Sequence, residues 1–238
     1  MFLAYSLFIL PVYAFQSQRR IFRSRRDAAM ADHFIYLYDP LCGWCYGASA
    51  GARLLASRPD VTIDVIPAGL FARPDAGPLS EQMAQHIWVS DKRIAELTGA
   101  VFSERYHDLL NHRSPLDSTL ATLALTAVSL TEPRRELEML GAIQKARYVD
   151  GRDITDLAIL GDLLKAADLA PAAQELAHPT SALLADNSAR IRRAGDLMAR
   201  AGARGVPTLL REDGQGWALI DSRALYSNPL SLLSAPIA

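Results

Sequence analysis

From Phe34 to Tyr38 every position is aromatic or aliphatic, a pattern that predicts a strand buried on both faces, and the run stops at Asp39-Pro40. From Cys45 through Ala56 small and apolar residues recur at helical spacing until Pro59. Val61 to Ile66 is then a β-branched strand pattern stopped by Pro67 and Gly69. Strand, helix and strand in this order make a βαβ unit whose first loop lies at the head of its helix.

The middle of the chain changes character. Between Leu79 and Ala203 the signals are helical: Ser90 as an N-cap with Gly99 closing, Asp117 before an apolar run to Leu130, and Pro133 opening a stretch to Tyr148. Further segments start near Thr155 and Pro171, and a long one runs from Ser181 to Ala201. In that last segment Leu184, Ile191, Leu197 and Met198 fall on roughly one face, with Arg200 near the C-terminal end. After Gly205 strand patterns return, Pro207 to Arg211 and Trp217 to Ile220, joined by a turn short enough for a hairpin. Arg223 to Leu233 reads as a closing helix weakened by Pro229. The βαβ and ββα halves supply strands that neither could bury alone, which predicts one mixed α/β sheet interrupted by a helical insertion. No fixed-period repeat stands out.

Composition narrows the class. The chain of 238 residues is half hydrophobic, 21% charged and carries a formal charge of −1, which fits a globular protein with a substantial core. A polyanion binder shows a clustered basic surface, and the one dense basic run, Arg19, Arg20, Arg23, Arg25 and Arg26, flanks an apolar stretch from Met1 to Phe15, so no nucleic acid is expected as a partner. That stretch reads as a signal peptide, an anchor or an extension outside the fold. A secretory signal carries its charge before the apolar region rather than after it, and a bilayer span needs roughly 17 to 25 residues. The reading adopted is that residues 1–29 lie outside the functional fold, that no membrane is engaged and that the protein is cytoplasmic. Nothing in the pattern speaks to oligomeric state.

Chemistry enters with two cysteines, Cys42-Gly43-Trp44-Cys45, at the strand-to-helix junction. A structural zinc site takes four ligands, and the five histidines at 33, 86, 107, 112 and 178 are scattered, so no metal is expected. An inert pair of buried cysteines would leave their position at a helix head unexplained. There the free amides and the helix dipole favour a thiolate, which makes Cys42 the candidate nucleophile and Cys45, one turn further in, the resolving thiol. Gly43 and Trp44 put no cationic side chain between the sulfurs, and Trp44 is expected to be exposed and to shape access. Asp39 reads as a turn residue beside Pro40, although its carboxylate would oppose the thiolate if it lay close. The second feature is Gly205-Val206-Pro207-Thr208, which opens the first strand after the insertion.

Tyr38-Asp39-Pro40-Leu41-Cys42-Gly43-Trp44-Cys45-Tyr46-Gly47, with Gly205-Val206-Pro207-Thr208 and the helices between them, resembles the DsbA-like branch of the thioredoxin superfamily, in particular its FrnE-like dithiol oxidoreductases. The resemblance spans roughly Phe34 to Ala224. It implies an α/β thioredoxin fold with a large all-helical insertion between the βαβ and ββα halves: a thioredoxin-like domain from 30–78 and 204–238, and an insertion domain from 79–203. It also implies a cis bond at Val206–Pro207, with the Val206 backbone free to pair with an extended substrate segment. Cys42 and Cys45 would be catalytic, with Gly43, Trp44, Val206 and Pro207 lining the substrate site. The expected function is thiol–disulfide exchange with a disulfide- or thiol-containing protein or small molecule, needing no cofactor beyond the cysteine pair, with glutathione as a candidate reductant or substrate. Two other readings stay open: a glutathione-dependent transferase or isomerase of the kappa-class or hydroxychromene carboxylate isomerase type, and a binding protein whose sulfurs are inert or merely sense oxidation.

Overall fold

The central strand β1, Asp32–Tyr38, is fully buried from Phe34 to Tyr38, because helices cover both faces of the sheet in which it lies. The fold is known from a computed structural model that describes residues 32–233; residues 1–29, and the start at Met30, lie outside the described residues. The chain continues through α1, Gly43–Ala56, and β2, Val61–Pro67, which pairs parallel to β1. Seven helices follow: α2, Glu81–Thr98; α3, Glu104–Asn111; α4, Thr119–Thr131; α5, Glu136–Tyr148; α6, Leu157–Ala166; α7, Ala170–Ala177; and α8, Ser181–Ala201. The chain then returns as β3, Thr208–Glu212, and β4, Trp217–Ile220, each antiparallel to its neighbour, and ends in the short α9, Ala224–Ser227, with a 3-10 turn at Pro229–Leu233. Strand order is β2-β1-β3-β4, the mixed sheet of a thioredoxin fold with its helical insertion between the two halves.

Because side chains alternate across a strand, β1 feeds two cores. Phe34, Tyr36 and Tyr38 point into the larger one, with Cys45, Ala48 and Leu55 of α1 and the apolar faces of α4 and α5. Ile35 and Leu37 face the other side, where Ile66, Leu210 and Ala194 of α8 close over them. A third, smaller cluster of Trp88, Tyr106, Leu110 and Tyr148 joins α2, α3 and α5 and takes in Tyr46 of α1. Among the described residues no helix is long and apolar enough to cross a membrane.

Several helix boundaries differ from the sequence reading. The helix expected to begin at Ser90 begins ten residues earlier: Ser80 has extended dihedrals and its hydroxyl accepts from the Met83 N–H, which leaves Ser90 exposed in mid-helix. Gly99 does close this helix, with φ at 72°. The eight-residue α3 has no counterpart in the sequence reading; its polar residues outnumber its apolar ones, and Tyr106 and Leu110 alone of its side chains are buried. Pro133 opens a single 3-10 turn rather than the helix itself, and β3 starts at Thr208. On α8 the buried residues are Leu183, Asn187 and Ala194; of the inferred stripe Ile191, Leu197 and Met198 are half-buried, the last two packed on the core beside Ile35 and Leu37, and Leu184 alone is exposed.

The covered face of α8 carries polar side chains as well as apolar ones. Arg190 donates to the Glu136 carboxylate of α5, to the Val65 carbonyl at 2.7 Å and to the Thr126 hydroxyl at 3.1 Å, and Tyr38 donates to the same Glu136 oxygen at 3.0 Å. The ion pair therefore links β1, β2, α4, α5 and α8. Burial pushes the Glu136 carboxyl up, and Arg190 pulls it back. Arg190→Met leaves that carboxyl buried without its cation, and we expect a loss of about 3–5 kcal/mol in urea unfolding. The unpaired Glu136 would hold its proton longer in the folded than in the unfolded chain, so the deficit should be smaller at pH 5 and grow toward pH 8.

Candidate active site

The site begins where β1 ends. Asp39 is fully buried, and its carboxylate accepts from the Leu41 N–H at 2.9 Å, the Phe71 N–H at 3.0 Å and the Ser118 hydroxyl at 2.9 Å. Burial pushes this carboxyl up, against the pull of those donors. The turn brings Cys42 to the N-cap of α1 with extended dihedrals (φ −85°, ψ 114°), and its sulfur accepts from the Cys45 N–H at 3.3 Å. Sulfur thus occupies the place that a serine or aspartate oxygen fills in an ordinary cap. Both cysteines are free thiols; Cys42 is 7% exposed and Cys45 wholly buried. Burial, then the hydrogen bond and charge of Cys42, push the Cys45 thiol well up, while the Asp39 backbone N–H opposes the shift and its carboxylate adds to it. Asp39 is therefore both a turn residue and a charge that Cys45 feels.

The opposite wall comes from the far end of the chain. Cys42 Sγ donates to the Val206 carbonyl at 3.6 Å, and the Val206–Pro207 peptide is cis. Thr208 Oγ1 donates to the Gly205 carbonyl at 2.6 Å and Ser222 Oγ to the Pro207 carbonyl at 3.1 Å, which pins the segment from both sides. Trp44 is 37% exposed and leans on Tyr226 with ring centroids 5.7 Å apart. Tyr226 lies on α9, and its hydroxyl donates to the Trp44 carbonyl at 3.4 Å. Beneath the motif, Tyr36 donates to the Cys45 carbonyl at 3.1 Å. The residues singled out in the sequence, Cys42, Gly43, Trp44, Cys45, Val206 and Pro207, are thus brought to one end of the sheet, on segments separated by more than 160 positions.

The sequence reading missed Asp91. A Cβ placed on Gly43 would lie 2.2 Å from Asp91 Oδ1, and one on Gly47 would lie 2.9 Å from Thr98, so the glycines let α1 and α2 approach until the Asp91 carboxylate touches the cysteine motif. Tyr106 donates to the other Asp91 oxygen at 2.6 Å. Asp91 is only 5% exposed; burial raises its carboxyl from 3.8 to about 6, with Tyr106 and Arg147 acting to lower it. With the helix begun at Ser90, Asp91 reads as an ordinary first-turn acid. Begun at Ser80, the phase of Ala84, Trp88 and Ile94 puts it on the buried face, a signal that the sequence does contain. Among the described residues no group of three or more His, Cys, Asp or Glu is placed to hold a metal ion.

Comparison of the whole chain with known proteins agrees with this geometry. No family model matches the chain, and no curated protein matches it in sequence. Solved structures do. The cytosolic disulfide reductase DsbM from Pseudomonas aeruginosa is 29% identical with a TM-score of 0.75, covering 85% of this chain and 95% of that one. The same protein with GSH gives 29% identity and a TM-score of 0.71 over 85% and 96%. A probable DsbA oxidoreductase from Streptomyces coelicolor shares the fold at 20% identity and a TM-score of 0.57, over 87% of this chain and 93% of that chain. The chain is a DsbA-like member of the thioredoxin superfamily.

The contact between Gly43 and Asp91 is open to a direct check. Gly43→Ala should cost about 1–3 kcal/mol in chemical denaturation, because the new methyl and a carboxylate tied to Tyr106 claim the same space. The loss should shrink when Asp91→Ala is added, and a double-mutant cycle reads the difference.

Proposed function

We propose that this thiol–disulfide oxidoreductase uses Cys42 as nucleophile and Cys45 as resolving thiol, and that it runs as a reductase of protein or small-molecule disulfides. One observation carries the reading: the Cys42 sulfur caps α1, on the Cys45 N–H, and sits against the Val206 carbonyl at the one edge of the pair that is exposed. The free amides and dipole of α1 favour negative charge on that sulfur. The Cys42 thiolate attacks a substrate disulfide, an S–S bond forms to Cys42, and the departing substrate sulfur leaves as a thiolate that takes up a proton. Cys45 is held as a thiol by burial and by the charge of Cys42. Once Cys42 is bound in the mixed disulfide that charge is gone, so Cys45 loses its proton more readily, attacks Cys42 Sγ and releases the second substrate thiol. Two external thiols then restore the dithiol.

The Val206 carbonyl is the group against which an extended substrate segment would align, with Pro207 behind it and Trp44 limiting the approach. The reductase direction is supported by the likeness to DsbM, named a cytosolic disulfide reductase, and by the lack of a cationic side chain between the sulfurs. The complex of that protein with GSH supports glutathione, or a thiol of its class, as the reductant here, with no further cofactor. A cytoplasmic location accords with the same likeness. The reading keeps residues 30–78 and 204–238 as the thioredoxin-like part and 79–203 as the insertion.

Cys42→Ser should abolish reduction of a mixed disulfide substrate by glutathione. Cys45→Ser should keep the first attack and accumulate a covalent adduct visible by mass spectrometry. Full activity in the Cys42 variant would overturn the assignment, and adduct accumulation in the Cys42 variant instead would reverse the roles.

A further inference from the structure

Asp91 belongs to none of the steps above, yet its carboxylate touches the first residue of α1. Cys42 occupies the N-cap of that helix, so the carboxylate lies at the helix end whose field favours negative charge on sulfur. The Tyr148 phenol is within electrostatic reach of both Asp91 and Cys42, which places the two groups around one buried ring. The groups that face Asp91 are few. Tyr106 of α3 donates to it, Tyr148 and Arg147 of α5 lie alongside, and the Cys42 thiol stands at the head of α1. Arg147 is 1% exposed, its guanidinium lies 5.4 Å from the Tyr106 ring centroid, and its Nε and Nη1 have no hydrogen-bond partner among the described residues. It lowers the Asp91 carboxyl only in part: burial still holds that group near 6, where it gains or loses a proton close to neutral pH.

We propose that Asp91 is a positioning residue of the cysteine pair: its ionised carboxylate, held against Gly43 by Tyr106, opposes the Cys42 thiolate and so disfavours the reduced dithiol relative to the disulfide. The proposal rests on Cys42 being the attacking sulfur. When Asp91 is protonated the opposition is gone, and the field of α1 acts on Cys42 alone. A carboxylate contributed by the insertion thereby makes the pair more strongly reducing as pH rises, beyond the proton dependence that thiol exchange has by itself. Stabilising a thiolate makes a dithiol pair more oxidising, and opposing it does the reverse.

The test uses the full chain and Asp91→Asn, which keeps the size of the side chain and an acceptor for Tyr106. The rate at which iodoacetamide alkylates Cys42 is followed from pH 5 to pH 8.5, with Cys45→Ser in both backgrounds so that one thiol is read. We expect the two profiles to coincide at pH 5 and to separate above about pH 6, with alkylation of the Asn variant ~3- to 10-fold faster at pH 7. In chains that keep both cysteines, equilibration at pH 7 with reduced and oxidised glutathione should shift ~3-fold or more toward the dithiol in the Asn variant. Loss of packing alone would change stability without making the profiles part with pH. Tyr106→Phe removes the donor that favours the ionised carboxylate, so its profile should follow the Asn variant to a higher pH before rejoining the parent. Superimposable alkylation profiles in folded Asp91→Asn would overturn the proposal, and if that variant does not fold, an unshifted Tyr106→Phe profile does so. Alkylation needs no turnover, so a parent chain that never forms a reversible disulfide with glutathione sinks the oxidoreductase reading and leaves the profiles to decide on Asp91.

Discussion

The buried Asp39 carboxylate holds the cysteine loop in place, and the rest of the site depends on it. Its three donors come from the turn itself, from the segment after β2 and from the start of α4, so one side chain ties the first half of the sheet to the insertion. Ser118 stands at the N-cap position of α4 but makes no cap bond with its side chain, because its hydroxyl is given to Asp39 instead. A buried carboxylate without such donors would be costly, and with them it sets where α1 starts. Where α1 starts decides which sulfur caps it.

The two cysteines then acquire different chemistry from position alone. Cys42 has its sulfur on a backbone N–H at the helix end and on a carbonyl from the other half of the chain, while Cys45 is enclosed below it. The residues around them come from every part of the fold. Val206 and Pro207 come from the segment before β3, Trp44 rests on Tyr226 of α9, and Asp91, Tyr106 and Tyr148 come from the insertion. The insertion forms one wall of the site, which it reaches because glycines at 43 and 47 let α2 lie close on α1.

Legibility followed the ratio of local to distant control. The strands were readable because unbroken apolar or β-branched runs between prolines and glycines leave few alternatives, and β4 falls on Trp217–Ile220 as its pattern predicts. The caps at Gly99 and Gly202 carry the local signature of a left-handed C-terminus. The start of α2 was misplaced because Ser80 and Ser90 are equally good caps in isolation, and packing of Ala84 and Trp88 against α3 and α5 chooses between them. The stripe on α8 was read incompletely because Asn187, buried, and Arg190, half-buried, share that face although polar, held by partners on α4, α5 and β2 that periodicity does not contain.

The sequence by itself determined the order of the elements other than α3, the placing of Cys42 at a helix head and of Cys45 one turn within, and the pairing of that motif with Val206-Pro207 as two features of one family. These rest on backbone preferences and apolar spacing, which act over a few residues and so can be read from them. Only the tertiary structure decided that Val206 faces the Cys42 sulfur, that Asp39 spends its carboxylate on three donors, and that Asp91 meets Gly43. Those contacts join residues from 2 to 164 positions apart, and the energy of a buried charge depends on which groups surround it rather than on its place in the chain.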